Sequence, residues 1–388
     1  MNLPSRLLSI DVFRGITMLL MIFVNDASGI DNIPKWIDHV DAEVDGLGFA
    51  DTIFPTFLFI VGLSLPFALK SRMNKGESFY SIAGYILIRA TALIIMGFFH
   101  VNLEDYRGGD DSLVSRAVWT LGITVSFFLI WLDYSSDISK NKKYSLIGFG
   151  VLLLSSMAYI YQFGNPEGLS PSWWGILGII GWAYLVCAFI YLLVRGKLGA
   201  LIFALLVLLV VNILDHTDSM PFNIPLIGDG SSTSLIMAGA VVSGIYSELV
   251  KRNKELTLWI LLFILGVVSI VAAFGIRPYA DGISKINSTP AWVLLMIGIS
   301  ILVFELMIYL VDVKKKEKWF KIIRPAGTST LTCYLIPYIL HSIMRITGLR
   351  YPEYFNTGIP GLIRCFVVAI LIIAFVGLLE KRRLRLKI

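Results

Sequence analysis

Apolar runs long enough to cross a lipid bilayer recur along the whole chain, and they constrain its fold more than any other feature. A transmembrane helix needs about 20 consecutive, mostly apolar residues. Hydrophobic residues make up 56% of the 388 residues and charged residues only 15%, which is too much apolar surface for a water-soluble core. We therefore predict an all-α polytopic membrane protein with a single integral domain over residues 1–388.

The runs divide into about twelve predicted spans, with ten as the lower bound. They cover residues 9–25, 51–69, 80–101, 116–132, 144–163, 173–194, 198–214, 232–250, 256–276, 290–311, 325–346 and 359–379. The first run lacks the cleavage site of a signal peptide and carries charges, so we expect it to be retained.

Lysine and arginine cluster in alternate connections between these runs, which is the distribution that orients membrane helices. The clusters lie at residue 6 and at residues 72–75, 140–143, 195–197, 251–254, 314–324 and 381–387. The other connections hold few basic residues, among them Arg107 and Lys285. This pattern predicts an even number of crossings, both termini in the cytoplasm and residues 26–50 on the outer face. It also explains the net charge of +6, so we expect no nucleic-acid partner.

Several kinds of chemistry have no support in the sequence. The three cysteines, Cys187, Cys333 and Cys365, lie inside apolar runs at no metal-like spacing, so we interpret them as packed thiols and expect no metal site. The chain has no phosphate-binding Gly-Lys-Ser/Thr loop, no nucleotide-binding Gly-x-Gly-x-x-Gly, no His-Glu-x-x-His and no Gly-x-Ser-x-Gly.

The segment 6–65 joins the first two runs through a polar loop and carries the most unusual groups in the chain. We expect it to bring five of them within reach of one another: Asp11, Arg14, Asn25, His39 and Asp51. Charges inside a membrane segment cost several kcal/mol unless they are paired or face water, so they predict a functional site.

His39 lies in a loop rich in aspartate and glutamate, and a carboxylate that orients its imidazole would make it a general base or an acyl carrier. A solvated loop histidine is the plainer alternative. Asp11 and Arg14 share a helix face, and Arg89 and Glu305 lie at a similar depth. These groups predict either a polar funnel that binds the phosphates of an anionic cofactor or a structural network of ion pairs.

A second polar group lies in the outer half of the predicted bundle. His341 and Arg345 are four residues apart on one helix face, while His100 ends the third run and Arg364 begins the last. Each alone is more often structural, but together they predict a pocket suited to the hydroxyls of a sugar.

Four motifs then give a family resemblance. SIDVFRG, LMIFVN, WIDH and ADTIFPTFLFIVGLSL occur in this order within residues 9–65. They resemble the signature of the heparan-alpha-glucosaminide N-acetyltransferase family and its bacterial relatives, and weaker similarity continues along the chain. The resemblance implies transfer of an acetyl group from cytoplasmic acetyl-CoA to the amine of a terminal glucosamine across the membrane. It also implies a homodimer.

Carried over by motif, the family's catalytic histidine is His39, its active-site asparagine is Asn25, and the acid of its Ala-Asp-x-x-Phe-Pro motif is Asp51. Asp11 and Arg14 match the first motif. Two departures concern the acceptor: Val-Asp-Ala-Glu follows His39, and the segment 327–331 reads Gly-Thr-Ser-Thr-Leu where relatives have Gly-x-Asn-Ser-Leu.

Our hypothesis is an acetyl-CoA-dependent N-acetyltransferase of a bacterial inner membrane, acting on glucosamine or a glucosamine-terminated glycan. Its expected catalytic residues are His39, Asn25 and Asp51, its cofactor-binding residues are Asp11, Arg14 and Arg89, and its acceptor-binding residues are His100, His341 and Arg345. The alternatives are a secondary transporter for N-acetylglucosamine or a related sugar and a scaffold for glycan assembly.

Overall fold

The computed structural model describes residues 7–106, 112–217 and 226–388, and in these ranges the chain is helical, without strands beyond two isolated bridges. Two of the basic residues used above, Arg6 and Arg107, lie outside the described residues. The helices are α1 (Leu8–Ala27), α2 (Ala50–Asn74), α3 (Phe79–Val101), α4 (Arg116–Trp131), α5 (Lys140–Gly164), α6 (Gly175–Leu193), α7 (Leu198–His216), α8 (Ser231–Lys251), α9 (Glu255–Ile276), α10 (Pro290–Met307), α11 (Arg324–Thr328), α12 (Thr330–Thr347) and α13 (Gly358–Lys381).

Every predicted run corresponds to helix, which confirms that the described ranges form an all-helical fold. Ten helices in the described ranges are long and apolar enough to cross a membrane. The apolar helix α4 has 16 residues and falls below that length. One predicted span is wrong as drawn, because residues 325–346 do not form a single helix. The backbone leaves helical geometry at Ser329 (φ −127°, ψ 43°) and separates α11 from α12.

Glycine pairs let distant helices approach backbone to backbone. Gly62 of α2 faces Gly239 of α8, and a methyl group added to Gly62 would lie 1.9 Å from the carbonyl oxygen of Ile236. Gly97 of α3 and Gly178 of α6 make a similar contact. Small residues at such crossings allow the close packing that holds helices together in lipid.

Both ends of the described chain lie at one end of the bundle, which we call the tail end. The backbone N–H groups of Leu8 and Ser9 donate to the Asp312 carboxylate just beyond α10. The N–H of Leu386 donates to Thr332 Oγ1 in the first turn of α12, 2.9 Å away. An even number of crossings agrees with this arrangement. The cytoplasmic location of the tail end stays a prediction.

Candidate functional site

His39 and Asp51 form the shortest hydrogen bond between side chains in the polar loop. Asp51 lies in the first turn of α2 with its side chain 2% exposed, and its Oδ1 is 2.6 Å from His39 Nδ1. Its Oδ2 accepts hydrogen bonds from the backbone N–H groups of Val40 and Gly48, both at 3.1 Å. These donors hold the carboxylate in place, so the loop and the helix start position the imidazole together.

The pairing decides which imidazole nitrogen is available. A carboxylate accepts hydrogen bonds, so Nδ1 carries the proton and donates to Asp51, and Nε2 of the neutral ring keeps its lone pair. The His39 side chain is 36% exposed, which leaves room for a substrate proton to reach Nε2. The arrangement is therefore competent for general-base chemistry.

A lysine that the sequence analysis did not assign completes this cluster. Lys285, in the connection between α9 and α10, pairs with Asp51, its Nζ lying 3.7 Å from Oδ1. The same Nζ is 3.1 Å from His39 Nδ1, which carries its proton for Asp51 and therefore does not accept from the ammonium. Burial lowers the pKa of Lys285, and the neighbouring Asp51 carboxylate opposes that shift. The signal for it was present, because cations are rare in the connections at this end of the bundle.

Asp45 fastens the His39 loop to the same connection. Its carboxylate accepts from the backbone N–H of Ile283 at 2.7 Å and from Arg277 Nε at 2.9 Å. The N–H of Ile283 and the Arg277 guanidinium hold the pKa of Asp45 below its usual value. The loop is thus tied at both the Lys285 and the Asp45 contacts.

The predicted funnel is a cavity of about 400 Å³ that opens at the tail end. Arg14 lines it, paired with Asp11 at 3.1 Å and donating to the Gly327 carbonyl at 3.0 Å and to the Ser64 hydroxyl. Arg89 lines it too. We call this space the tail cavity. Glu305, predicted at a similar depth, is not among its lining residues.

Arg89 is the less neutralised of the two arginines. Its Nη1 donates to the Tyr85 hydroxyl at 3.0 Å, and its guanidinium lies 5.3 Å from the centre of the Tyr184 ring. No carboxylate within residues 7–106, 112–217 or 226–388 forms an ion pair with it. A guanidinium on a cavity wall with only neutral partners is a site for an anion.

A second cavity of about 340 Å³, the far cavity, lies toward the other end of the bundle. Asn25, Asp26 and His341 line it. His341 Nε2 is 3.6 Å from Asp26 Oδ1, and Arg364 Nη2 is also 3.6 Å from that oxygen. Asp26 was not selected in the sequence analysis. It follows Asn25 at the end of the first apolar run, so the energetic cost of a charge inside a membrane was a signal for it as well.

The two cavities follow one another along the same helices. On α1, Arg14, Met18 and Met21 line the tail cavity, while Ile22 and Asn25 line the far cavity. Two residues, Ile176 of α6 and Tyr334 of α12, line both. The cavities are therefore neighbours separated by a thin layer of side chains.

The structure does not bring all the predicted residues of segment 6–65 together, which corrects that expectation. Asp11 and Asn25 are fourteen residues apart on one helix, about 21 Å at the usual rise. Asn25 lines the far cavity, whereas His39 and Asp51 are not among the residues lining either cavity. Three groups result: Arg14 with Arg89, Asn25 with His341, and His39 with Asp51.

Two predicted acceptor residues lie away from the cavity walls. His100 is buried behind Tyr338, stacked on its ring at 4.3 Å, and neither ring nitrogen has a hydrogen-bond partner in the described part of the chain. Arg345 is exposed one turn beyond His341. Contacts of His100 and Arg345 with an acceptor stay predictions.

Comparisons with known proteins agree with the motif resemblance. The model of a family described as "Domain of unknown function (DUF5009)" matches residues 6–227, more than half of the chain. The human heparan-alpha-glucosaminide N-acetyltransferase is 40% identical over 100 residues, which are 26% of this chain and 14% of that protein. The mouse protein of the same name is 36% identical over 98 residues, 25% of this chain and 14% of the relative. The resemblance is confirmed, and it covers a small part of each relative.

Proposed function

This chain belongs to the DUF5009 family, and we propose that it is a membrane acyltransferase that moves the acetyl group of acetyl-CoA to the amine of glucosamine or a glucosamine-terminated glycan. Support for an acetyl transfer comes from the two relatives named heparan-alpha-glucosaminide N-acetyltransferase, each of which matches about a quarter of this chain. Support for these substrates comes from the charges of the two cavities and from the basic nitrogen of His39.

The observation that carries the proposal is Arg89, a cavity-lining guanidinium without a carboxylate partner in the described ranges. Coenzyme A is a polyanion, and arginine binds phosphate through two parallel hydrogen bonds. We place its phosphates against Arg89 and Arg14 in the tail cavity, with Asp11 holding the Arg14 side chain. The thioester arm would then extend toward the far cavity.

His39 acts at the acceptor end as the base. In direct transfer, the acceptor amine attacks the thioester carbonyl, His39 Nε2 takes the amine proton, and the CoA thiolate leaves and is protonated. In the alternative, His39 itself accepts the acetyl group and passes it on. Asp51 orients the imidazole in both routes. Asn25 lines the far cavity, where its amide would donate to the oxyanion that develops on the acetyl group.

The acceptor would bind in and around the far cavity. His341 lies on its wall, His100 lies behind the wall residue Tyr338, and Arg345 is one turn beyond His341 on α12. We propose a bacterial inner membrane as the location, with the tail end in the cytoplasm as the basic clusters indicate, and a homodimer as the assembly.

Release of CoA by purified protein in detergent tests the proposal. We expect acetyl-CoA to bind, CoA release to depend on glucosamine, and the variant His39→Ala to abolish that dependence. Lys35→Met is the matched control, because Lys35 is an exposed residue of the same loop without a contact to the site. Full glucosamine-dependent release by His39→Ala would overturn the assignment.

A sugar transporter is the second candidate, and one observation favours it. Two cavities that approach each other from opposite ends across a thin layer suit alternating access. Sugar flux in proteoliposomes without any binding of acetyl-CoA would decide for transport.

A further inference from the structure

The layer between the tail cavity and the far cavity is built from very few side chains. Tyr334 is buried, and its hydroxyl lies 3.2 Å from the hydroxyl of Tyr338 one turn later. The Tyr338 ring stacks on His100 at 4.3 Å. Ile176 approaches from α6 and is the other residue shared by both cavities. One phenol ring and one aliphatic side chain therefore form the shared wall.

Breaks in regular helix lie next to both shared residues. Pro337 is inside α12, where its missing N–H leaves the carbonyl of Cys333 without its helical partner and weakens the helix beside Tyr334. On the other side, α6 begins at Gly175, and both Trp174 (φ 69°) and Gly175 (φ 64°) have left-handed backbone just before Ile176. The helical hydrogen bonding is therefore incomplete beside each of the two shared side chains.

The dimensions fit one continuous path. Arg14 at the start and Asn25 at the end are eleven residues apart on α1, about 16 Å along the helix axis. The lining of the tail cavity is mixed, with arginines at its mouth and Met18, Met21 and Leu93 deeper. A path of this kind admits an extended, unbranched chain more readily than a sugar ring.

We propose that the two cavities are halves of a single passage through the bundle and that Tyr334, backed by Tyr338 and faced by Ile176, is the residue that closes it. The position of the Tyr334 ring determines whether the tail cavity and the far cavity are connected and which groups can pass between them. This deepens the proposed function, and it rests on that function only for the identity of the group that passes, the acyl arm of the donor.

Cysteine accessibility tests the passage without any acyl transfer. A reporter cysteine replaces Val368, which lines the far cavity on α13, and a second reporter replaces Ala68, which lines the tail cavity on α2. Protein reconstituted in vesicles is exposed to a membrane-impermeant, cationic methanethiosulfonate on the tail side only. Labelling is read by mass spectrometry of the reporter peptides, and the parent chain with its three buried cysteines gives the baseline.

With Tyr334 intact, we expect the tail-side reagent to label Ala68→Cys and to leave Val368→Cys nearly unlabelled. Adding Tyr334→Ala should raise tail-side labelling of Val368→Cys at least tenfold, and Tyr334→Phe should give a small increase because the ring remains. Ile176→Ala is the second opening variant, in case Tyr334→Ala fails to fold. Leu331→Ala is the matched control, since Leu331 lies on α12 but lines the tail cavity alone.

Unchanged tail-side labelling of Val368→Cys in both opening variants, with Ala68→Cys still labelled, would overturn the proposal. So would rapid tail-side labelling of Val368→Cys while Tyr334 is intact. Coenzyme A added on the tail side separates this inference from the proposed function. If Tyr334→Ala opens the route and CoA does not slow the labelling, the passage stands and the donor assignment fails.

Discussion

Two histidine–carboxylate pairs lie toward the same end of this bundle, and they differ in nearly every respect. His39 and Asp51 are 2.6 Å apart, and the carboxylate is fixed by two backbone N–H groups and by Lys285. His341 and Asp26 are 3.6 Å apart, and Asp26 Oδ2 has no hydrogen-bond partner in the described part of the chain. The first pair is closely hydrogen-bonded and lines neither the tail cavity nor the far cavity, while His341 and Asp26 of the second pair are further apart and line the far cavity.

A catalytic base needs both a fixed tautomer and access to the substrate, and each of the two pairs meets one of these requirements. A fixed tautomer needs a strong hydrogen bond to a held carboxylate, which His39 has. Access to a bound substrate needs a cavity wall, which His341 has. We assign the base to His39 because tautomer and orientation must be set before a proton can be taken, whereas a substrate is able to approach an exposed Nε2 from outside. The two pairs can be compared directly by mutation.

Removing each imidazole in turn gives the largest expected effect. His39→Ala should lower the rate of glucosamine-dependent CoA release by about 10²- to 10⁴-fold, the usual contribution of a general base, while His341→Ala should retain most of the rate. Initial rates at saturating acetyl-CoA measure both. The reverse order of effects would transfer the role of base to His341 and Asp26.

Asp51→Asn tests whether the held carboxylate makes the difference. The amide cannot fix the imidazole as the carboxylate does, so we expect kcat to fall by about 10²-fold. The new NH₂ group also meets backbone N–H donors, which should lower the free energy of unfolding by about 1 to 3 kcal/mol. Asp26→Asn serves as the comparison, and a thermal melt of each variant separates the two effects. Equal losses of kcat in Asp51→Asn and Asp26→Asn would show that the hydrogen-bonded carboxylate of the His39 pair gives it no advantage over the His341 pair.

Arg89→Gln concerns the donor side, and it should leave both histidine pairs intact. Loss of a cation that faces the tail cavity should raise the KM for acetyl-CoA about tenfold or more, with a smaller change in kcat. Arg89→Lys should restore part of the affinity, because it keeps the charge and loses the planar donor pair. An unchanged KM in Arg89→Gln would place the CoA phosphates elsewhere.

His341→Gln should act on the acceptor alone. We expect the KM for glucosamine to rise a few-fold, about the worth of one neutral hydrogen bond, with no change in the KM for acetyl-CoA. Steady-state kinetics with each substrate varied in turn provide the measurement. A matched rise in both constants would show that the cavity, rather than the acceptor contact, had been disturbed.

The smallest expected effect concerns the clamp on the His39 loop. The folded-state pKa of Asp45 is depressed, so its contribution to stability is present above the unfolded value of about 3.9 and is lost as the pH falls below it. Limited proteolysis of residues 28–49 should therefore accelerate below about pH 4 in the parent chain. Asp45→Asn should be cleaved faster at neutral pH and show a flatter pH response. Parallel pH curves for the two chains would exclude Asp45 as the clamp.

Much of the fold was predictable because long apolar runs have one stable conformation in lipid. The location of each helix followed from that constraint, except for the division of residues 325–346 into α11 and α12. The break at Ser329 did not, since Thr, Ser and Gly in residues 327–330 are compatible with a membrane helix. Beside the break, Gly327 approaches the Asp11 carbonyl of α1 so closely that a side chain there would collide with it. The hydrophobic pattern of a single helix does not show which distant helix it will contact.

The residues of the candidate site were predictable where they place a charge inside an apolar run, because such a charge is energetically costly in a membrane. They were less predictable where only the folded structure brings them together. Arg14 and Arg89 stood out as charges within apolar runs, and they line one cavity. The pairing of His39 with Asp51 followed from the motif and the acidic loop. Lys285 is one of the few cations in the connections at its end of the bundle, but only the fold of the α9–α10 connection brings it to His39. Tyr334 carries no charge, so the energetic cost of charges in a membrane does not single it out in the sequence.

The contact between Gly62 and Gly239 has a consequence for biogenesis. The family model ends at residue 227, and α8, which carries Gly239, begins at Ser231. Gly239 leaves the ribosome 177 residues after Gly62, roughly 10 to 35 s later at ordinary rates of synthesis. During that interval the face of α2 that carries Gly62 has no α8 to pack against. The packing of α2 is therefore completed only by a helix that lies beyond the range matched by the family model.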